Sequence, residues 1–337
     1  MNIRDIAKKA GVSSATISRV INESGYVKDE TKKKVLAVIN EANYVPSAIA
    51  RSLSICDSSS IGVMVPDIAN EFFSSLISGI GEKAGSNQYN IVLFDTGESL
   101  DKEHQCLQIV ESQRLSGIII TPVSDSDTVT EGKLSQFEKK GIPVVLADRN
   151  IRNSNLDGVF VDNVKAAYEG VCALIDAGHE KIAIITGPDT SLPGKDRFKG
   201  YKAALKDHGI KLRDEYMVSG DFKIAKAYER TRELLELDEP PTAIFTSNNQ
   251  TSLGALKYFT EHKIKIGKDI SIVGFDQIES LKIIDYRLST IERDVKLQGQ
   301  KAMEMIIHKL SCKTYEGCNR KMYVPYQVVL RGSEEKK

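Results

Sequence analysis

Two short helices joined by a tight turn near the N-terminus constrain the fold of this chain more than any other feature of its sequence. Four apolar residues are spaced as one face of a first helix: Ile3, Ile6, Ala7 and Ala10. Gly11 permits the turn, because glycine adopts a positive φ without strain, and Ser13 offers a side-chain oxygen as the N-cap of a second helix. That second helix would bury Ile17, Val20 and Ile21. A third helix from about Asp29 to Ala42 would complete a small core.

The outward face of the second helix carries short polar groups and one guanidinium group. Such groups near the N-terminus of a helix suit base edges and phosphates in the major groove of DNA. We therefore predict base contacts from Ser14, Ala15 and Arg19. Phosphate contacts are predicted for the other polar residues of this segment: Thr16, Ser18, Asn22 and Tyr26. The pattern predicts a helix-turn-helix that reads double-stranded DNA.

Beyond a polar linker at about residues 54–60, short apolar strands alternate with amphipathic helices. The predicted strands are 61–65, 90–94, 117–121, 143–147, 158–161, 181–186, 242–246 and 270–274. Continuous apolar strands flanked by helices indicate parallel sheets that are buried on both faces. Because these strands are too many for one compact unit, we expect an α/β fold with two doubly wound subdomains. A ligand would bind beyond the carboxyl ends of the strands, in the cleft between the two lobes.

The motif GVSSATISRVIN, followed by NYVPSAIARSL, resembles the head of the LacI/GalR family of bacterial repressors, and the resemblance continues through the body of the chain. It implies a DNA-binding domain at residues 1–57 and an effector-binding and dimerisation domain at 58–337. It also implies a hinge helix at 46–54 that folds on DNA, with Leu53 as a wedge in the minor groove. A helix this short is marginal in water on its own, which suits a conditional role.

Within the effector domain, the resemblance implies three crossovers between the lobes. They would lie near Asp162, near Ser289–Arg293 and near Lys321–Val324. The first lobe would then comprise about 61–161 and 292–320, and the second lobe about 162–289 and 322–331.

Polar and aromatic side chains follow several of the predicted strands. Taken alone, each group has a plain structural explanation, since Phe72 and Phe73 could be core residues and Asp148–Arg149 could be a surface ion pair. Together they place hydroxyl-binding groups beside aromatic rings, a mixture that suits a ligand with several neutral hydroxyls. The candidate effector-binding residues are Asn70, Phe72, Phe73, Asp148, Arg149, Arg197, Phe222, Asn248 and Asp276.

These candidate residues are similar, position by position, to the pentose-contacting set of ribose-binding periplasmic proteins and ribose-type repressors. The resemblance implies a repressor whose operator affinity is controlled by ribose or a similar pentose. Arg293 departs from the pattern, because those proteins usually have glutamine there, and it would admit an acidic or phosphorylated sugar. Ser191 and Pro193 differ from the residues of purine-responsive relatives. The alternative is a catabolite-control-type regulator whose corepressor is a phosphorylated carrier protein.

Composition bounds the remaining possibilities. Basic and acidic residues both number 46, but residues 1–57 hold nine basic and six acidic side chains, a net charge of +3 that a dimer would double. The chain lacks a transmembrane run, and its five scattered cysteines without a CxxC pair indicate reduced thiols in the cytoplasm. Dispersed histidines and the lack of a metal-type cluster predict no enzyme, metal or cofactor. We expect a homodimer, because no heptad repeat follows residue 331, and a disordered GSEEKK tail.

Overall fold

The computed structural model describes residues 2–21, 25–42, 58–312 and 320–336. The chain divides into two compact units, residues 1–58 and 59–337. Three features predicted from the sequence lie outside the described residues: the hinge helix at 46–54, its Leu53 and the phosphate-contacting Asn22.

The N-terminal unit contains the predicted short helices, α1 (Ile3–Ala10), α2 (Ser14–Ile21) and α3 (Asp29–Glu41). The Asn2 side chain accepts hydrogen bonds from the N–H groups of Arg4 and Asp5, and the Asp5 carboxylate accepts one from the N–H of Asn2. This reciprocal capping box begins α1, and Gly11 ends the helix at φ 65°. The core buries Ile6, Ala7, Ala10, Ile17, Val20 and Val35.

The second unit is an α/β structure built on two six-stranded sheets in the part of the chain that is described. Its strands are β1 (Ser58–Val65), β2 (Asn90–Asp95), β3 (Leu115–Ile120), β4 (Val144–Ala147), β5 (Asp157–Phe160), β6 (Ile182–Thr186), β7 (Met217–Ser219), β8 (Ala243–Thr246), β9 (Ser271–Phe275), β10 (Ser289–Arg293), β11 (Lys321–Tyr323) and β12 (Tyr326–Val329). Its helices are α4 (Glu71–Ser86), α5 (Leu100–Gln113), α6 (Thr128–Lys139), α7 (Asn163–Asp176), α8 (Leu192–Asp207), α9 (Ile224–Leu235), α10 (Asn249–Glu261), α11 (Glu279–Ile283) and α12 (Val295–Ser311). Over the described ranges, none of the helices combines the length and the apolar character needed to cross a membrane.

The first sheet has the strand order β11-β5-β4-β3-β1-β2, and the second has the order β12-β10-β9-β8-β6-β7. Parallel pairings join β1 to β2, β3 to β4, and β5 to both β4 and β11 in the first sheet. In the second sheet, β6 is parallel to β7 and β8, and β9 is parallel to β8 and β10. β12 runs antiparallel to its neighbour, β10. The prediction of two parallel-sheet subdomains is confirmed.

Sequence reasoning found the eight apolar strands within a few residues of their observed bounds, but it missed β7, β10, β11 and β12. β7 and β11 have three residues each, and those of β11 are exposed, so neither carries a buried apolar run. β10 is buried along its whole length, yet its sequence STIER is mostly polar. The period and polarity of these short strands do not distinguish them from loops.

Two of the missed strands lie at the expected second and third crossovers, near Ser289–Arg293 and near Lys321–Val324. β10 belongs to the second sheet as far as Arg293, which pairs with Tyr326. β11 pairs with β5 in the first sheet as far as Tyr323. The approximate lobe bounds stay a prediction.

The C-terminal residues do not follow the expectation of disorder, because they pack along β9. The N–H of Ile272 donates to the carbonyl oxygen of Ser333 at 2.8 Å. The N–H of Ser289 donates to Ser333 Oγ at 2.7 Å. Buried His179 places Nε2 3.2 Å from the carbonyl oxygen of Glu334. Backbone groups at the amino-terminal ends of β9 and β10 therefore hold a segment whose polar composition suggests disorder.

The backbones of α4 and α12 touch at a pair of glycines. A Cβ built on Gly79 would lie 2.0 Å from the carbonyl oxygen of Lys296. A Cβ built on Gly299 would lie 2.2 Å from the carbonyl oxygen of Leu76. Both separations are far below van der Waals contact, so only glycine allows the two helices to approach this closely.

We expect Gly79→Ala to lower the free energy of unfolding by about 1–3 kcal/mol, since the added methyl group forces α4 and α12 apart. Gly85→Ala in the same helix is the matched control, because no described atom lies within 4 Å of a Cβ at that position. The control should be neutral or stabilising by up to about 1 kcal/mol, owing to the helix propensity of alanine. Urea unfolding followed by circular dichroism measures both changes. Equal destabilisation by both variants would contradict the close-packing argument.

Candidate functional site

The outward face of α2 presents the predicted DNA-contacting side chains. Ser13 caps this helix, since its Oγ accepts a hydrogen bond from the N–H of Thr16 at 3.1 Å. The exposed members of the predicted set are Ala15, Arg19 and Tyr26. The half-buried members are Ser14, Thr16 and Ser18. A capped helix with small side chains and one exposed guanidinium group fits into a major groove without steric clashes.

A cavity of about 250 Å³ opens in the second unit. All nine predicted effector-binding residues line it: Asn70, Phe72, Phe73, Asp148, Arg149, Arg197, Phe222, Asn248 and Asp276. Further lining residues are Pro66, Asp67, Gly97, Glu98, Pro193, Lys223, Asn249 and Arg293. The volume lies just below the range of about 300–1,000 Å³ that is usual for pockets of drug-sized ligands. It therefore suits one small polar molecule.

The lining residues come together because parallel strands end at one edge of each sheet. Asn70 follows β1, Asp148 directly follows β4, and both strands belong to the first sheet. Asn248 follows β8, and Asp276 directly follows β9 in the second sheet. The two sheets thus present their carboxyl edges to the same cavity, as expected for doubly wound lobes.

Arg293, the last residue of β10, joins the two lobes through buried ion pairs. Its Nη2 lies 2.9 Å from Asp148 Oδ1 and 3.0 Å from Asp276 Oδ1. Its Nε also donates to Asp276 Oδ1 at 3.0 Å. Burial alone lowers the pKa of the Arg293 guanidinium, but the carboxylates of Asp276 and Asp148 outweigh that cost and raise the pKa above its ordinary value.

Arg197, in α8, is held by the second lobe. Its Nε donates to Asn163 Oδ1 at 2.8 Å, and its Nη1 donates to the carbonyl oxygen of Ser247 at 2.6 Å. Burial lowers the pKa of Arg197 to about 10, although the nearby Asp276 carboxylate opposes the shift. The guanidinium is therefore still protonated at neutral pH.

An aromatic ring lies against each of the two guanidinium groups, those of Arg293 and Arg197. The Arg293 Cζ lies 4.6 Å from the ring centroid of Phe72, and the Arg197 Cζ lies 3.6 Å from that of Phe275. Such contacts are stronger when they are shielded from water, as here. Sequence reasoning missed Phe275, because an aromatic residue at the end of an apolar strand is indistinguishable from core.

Glu98 is a second residue that sequence reasoning missed. Its carboxylate accepts two hydrogen bonds from Arg149, at 2.8 Å from Nη1 and 2.6 Å from Nη2. Burial lowers the pKa of Arg149, and the Glu98 carboxylate more than offsets this, so the pKa is raised. Glu98 follows β2, so the strand-end rule that found Asp148 could also have found Glu98.

Four of the cavity residues other than glycine have left-handed backbones, which are rare for such residues. Glu98, Asp148, Phe222 and Asp276 have φ values of 57°, 64°, 54° and 68°. Such conformations cost about 1–3 kcal/mol for bulky residues and occur mostly at functional sites. The Phe222 ring lies against Gly187, where a Cβ would fall 2.2 Å from a ring carbon. The backbone is thus shaped to aim these side chains.

Other hydrogen bonds also cross from one lobe to the other, including one by Asn249 and one by Lys195. Asn249 Nδ2 donates to Asn70 Oδ1 at 2.7 Å beside the cavity. Outside the cavity lining, Lys195 Nζ donates to both carboxylate oxygens of Asp125, at 2.8 and 2.9 Å. The Asp125 side chain is fully buried. These contacts hold the two lobes together around the cavity.

The described residues contain no cluster of histidine, cysteine or acidic side chains that could hold a metal ion. The described cysteines, Cys106, Cys172 and Cys312, are free thiols. Burial raises the pKa of the Cys106 and Cys172 thiols, so both are poor nucleophiles at neutral pH.

We expect Lys195→Met to lower the free energy of unfolding by about 1–3 kcal/mol, because it leaves the buried Asp125 carboxylate with only Arg152 as an ion-pair partner among the described residues. The double variant Asp125→Asn, Lys195→Met should recover part of that loss, since it removes the uncompensated charge. Urea unfolding of the double variant and of each single variant, Asp125→Asn and Lys195→Met, checks this. A double variant as unstable as the sum of the two single variants would show that the pair makes no coupled contribution.

The comparisons with known proteins agree with this architecture. Residues 2–47 match the family described as bacterial regulatory proteins, lacI family. Residues 58–327 match the periplasmic binding proteins and sugar binding domain of the LacI family. Catabolite control protein A from Priestia megaterium is 33% identical over 334 residues, which is 99% of each chain. The transcriptional repressor PurR from Photobacterium profundum is 30% identical over 314 residues, 93% of each chain.

Among solved structures, the lac repressor dimer bound to operator and the anti-inducer ONPF is similar, with a TM-score of 0.84 and 26% identity over 99% of each chain. These matches span both units and are to transcription regulators, not to enzymes. The chain therefore belongs to the LacI family of bacterial regulatory proteins, as a DNA-binding transcriptional repressor with a ligand-binding domain.

Proposed function

We propose that the protein binds a pseudo-palindromic operator as a homodimer through α2, and that a small sugar in the cavity controls its operator affinity. The sugar would be of the size of ribose or a similar pentose. The observation that carries the proposal is the convergence of all nine predicted effector residues on one small cavity between the two lobes. Because a bacterial repressor must reach the chromosome to bind its operator, we propose that the protein is located in the cytoplasm.

The DNA-binding part rests on the surface of α2. Its predicted contacts are Ser14, Ala15, Thr16, Ser18 and Arg19, with Tyr26 beyond the helix. Asn22 and Leu53 complete the proposed set on the strength of the family resemblance alone. An operator with two-fold symmetry requires two copies of the reading helix. Two adjacent apolar side chains, Ile283 and Ile284, are 85% and 68% exposed and would favour contact with a second copy.

The effector part rests on the chemistry of the cavity. Carboxylates at Asp148 and Asp276 can accept hydrogen bonds from hydroxyl groups, and the amide of Asn248 can both donate and accept. The rings of Phe72 and Phe222 offer apolar faces for the C–H face of a sugar. A ligand that contacts both lobes stabilises their closed arrangement. Coupling between such a site and a second site is typically worth about 1–3 kcal/mol.

A second candidate is a catabolite-control-type regulator with a phosphorylated carrier protein as corepressor. The similarity to catabolite control protein A over nearly the whole chain favours it. The two candidates differ in what changes operator affinity. A sugar should act alone under the first, whereas under the second no sugar should act and the phosphorylated carrier should tighten DNA binding.

We expect Arg19→Ala to weaken binding to the specific operator by about 1–3 kcal/mol and binding to random DNA far less, because a bidentate contact to guanine carries sequence information. The operator would be selected from a random duplex library, and affinity measured by fluorescence anisotropy at fixed salt. Lys33→Ala, an exposed charge on α3, is the control and should affect both DNAs alike. Equal losses of Arg19→Ala on both DNAs would make Arg19 a phosphate contact.

We expect Asp276→Asn to weaken effector binding at least about tenfold and to abolish the effector's influence on DNA, since hydrogen bonds to charged groups are worth about 1.5–3 kcal/mol. DNA binding without effector should be unchanged. Asp285→Asn is the matched control, because Asp285 also has a left-handed backbone, at φ 51°, but does not line the cavity. Anisotropy titrations with and without effector measure both. An unchanged effector affinity in Asp276→Asn would refute the site assignment.

A further inference from the structure

One nitrogen of the Arg293 guanidinium group, Nη1, has no hydrogen-bond acceptor among the described residues. Its Nε and Nη2 atoms are engaged by Asp276 and Asp148. Its Nη1 is buried, and among the described residues no atom accepts a hydrogen bond from it. The residue as a whole is 4% exposed and lines the cavity. Burying an N–H group without a partner is unfavourable, so Nη1 needs an acceptor from a bound molecule.

The charges of the cavity balance only because of Arg293. Arg149 and Glu98 form a closed bidentate pair and cancel. Asp67 and Lys223 also line the cavity and cancel. The remaining lining charges are the two carboxylates of Asp148 and Asp276 and the two guanidiniums of Arg197 and Arg293, which sum to zero.

A neutral side chain at position 293 would leave one uncompensated negative charge beside the ligand. That charge would repel an anion strongly at the low effective dielectric of a buried site. With arginine at position 293, the lining has no net charge, and the unpartnered donor Nη1 belongs to a cationic group. The cavity can therefore accept one extra negative charge without repulsion from a net charge.

The acceptors of the cavity are also partly used. Asp276 Oδ1 accepts from Arg293, and Asp276 Oδ2 lies 3.6 Å from Arg197 Nη1. Asn70 Oδ1 already accepts from the N–H of Phe72 and from Asn249 Nδ2. Fewer acceptors thus remain for ligand hydroxyls than the residue types suggest, and a strong cationic donor remains for an anionic oxygen. Charge-assisted hydrogen bonds are roughly twice as strong as neutral ones.

We propose that the effector is a hydroxylated acid, whose carboxylate or phosphate oxygen binds Nη1 of Arg293 while its hydroxyls bind the remaining polar groups of the cavity. This inference rests on the proposed function of the cavity as the effector site. It narrows the ligand class from small sugars in general to sugar acids and sugar phosphates.

The test uses the full-length protein and two matched ligand series: ribose, ribonate and ribose 5-phosphate, and glucose, gluconate and glucose 6-phosphate. Isothermal titration calorimetry measures affinity, and acetate and inorganic phosphate control for simple anion binding. At least one acidic member should bind wild type about tenfold or more tightly than its neutral counterpart. Whether the carboxylate or the phosphate member binds identifies the acid.

Arg293→Gln should lose about 10- to 100-fold more affinity for that acid than for the matched neutral sugar, whose own loss measures any change in the shape of the cavity. Arg293→Lys, which keeps the charge, should lose less than Arg293→Gln. Arg213→Gln removes the same charge from a half-buried residue that does not line the cavity, and it should leave affinity unchanged. If Arg293→Gln does not fold, the comparison of wild type with Arg293→Lys across the series still tests the inference.

Two results would overturn the inference, and they differ in whether the proposed function of the cavity also fails. If a neutral sugar binds wild type as tightly as its acid and shifts operator affinity, the acidic class is wrong and the cavity remains the effector site. If no member of either series binds, both the acidic class and the sugar-controlled function fail, and the carrier-protein alternative stands.

Discussion

One guanidinium group, that of Arg293, bridges the two lobes of the ligand-binding domain. Arg293 leaves the second sheet and meets Asp148 of the first lobe and Asp276 of the second within 3.0 Å. Burying these three charges is costly, and such clusters rarely add stability compared with apolar packing. The cluster bridges the two lobes, because Asp148 follows β4 of the first sheet and Asp276 follows β9 of the second. Much of the cavity's geometry depends on these contacts, since all three residues line it.

The same cluster explains why the cavity tolerates strained backbones. Asp148 and Asp276 both adopt left-handed conformations directly after their strands, and both are paired with Arg293. Ion pairing to one guanidinium group therefore offsets the strain at both turns.

The sequence was most informative where physical rules act locally. Ser13 and Gly11 identify the helix-turn-helix by capping and turn chemistry, and the strand-end rule found residues such as Asp148 and Asn248 that do converge. It was least informative where a contact depends on distant parts of the chain. Phe275 looks like ordinary core, β11 has no apolar run, and the partners of Arg293 cannot be read from its neighbours in sequence. The prediction of a disordered tail was wrong for a related reason, since backbone groups at the amino-terminal ends of β9 and β10 hold its polar residues, and its own composition does not reveal them.

The glycine contact between α4 and α12 has a mechanical consequence. α4 begins one residue after Asn70, and α12 begins two residues after Arg293, so both helices start at the cavity. Their 16 and 17 residues correspond to rods of roughly 25 Å at about 1.5 Å per residue. Because their backbones touch at Gly79 and Gly299, the rods cannot slide past each other without a clash and must turn as one body. A tilt of a few degrees at the cavity would therefore move the far ends of both helices together by about an ångström or more. Those ends lie near Ser86 and Ser311.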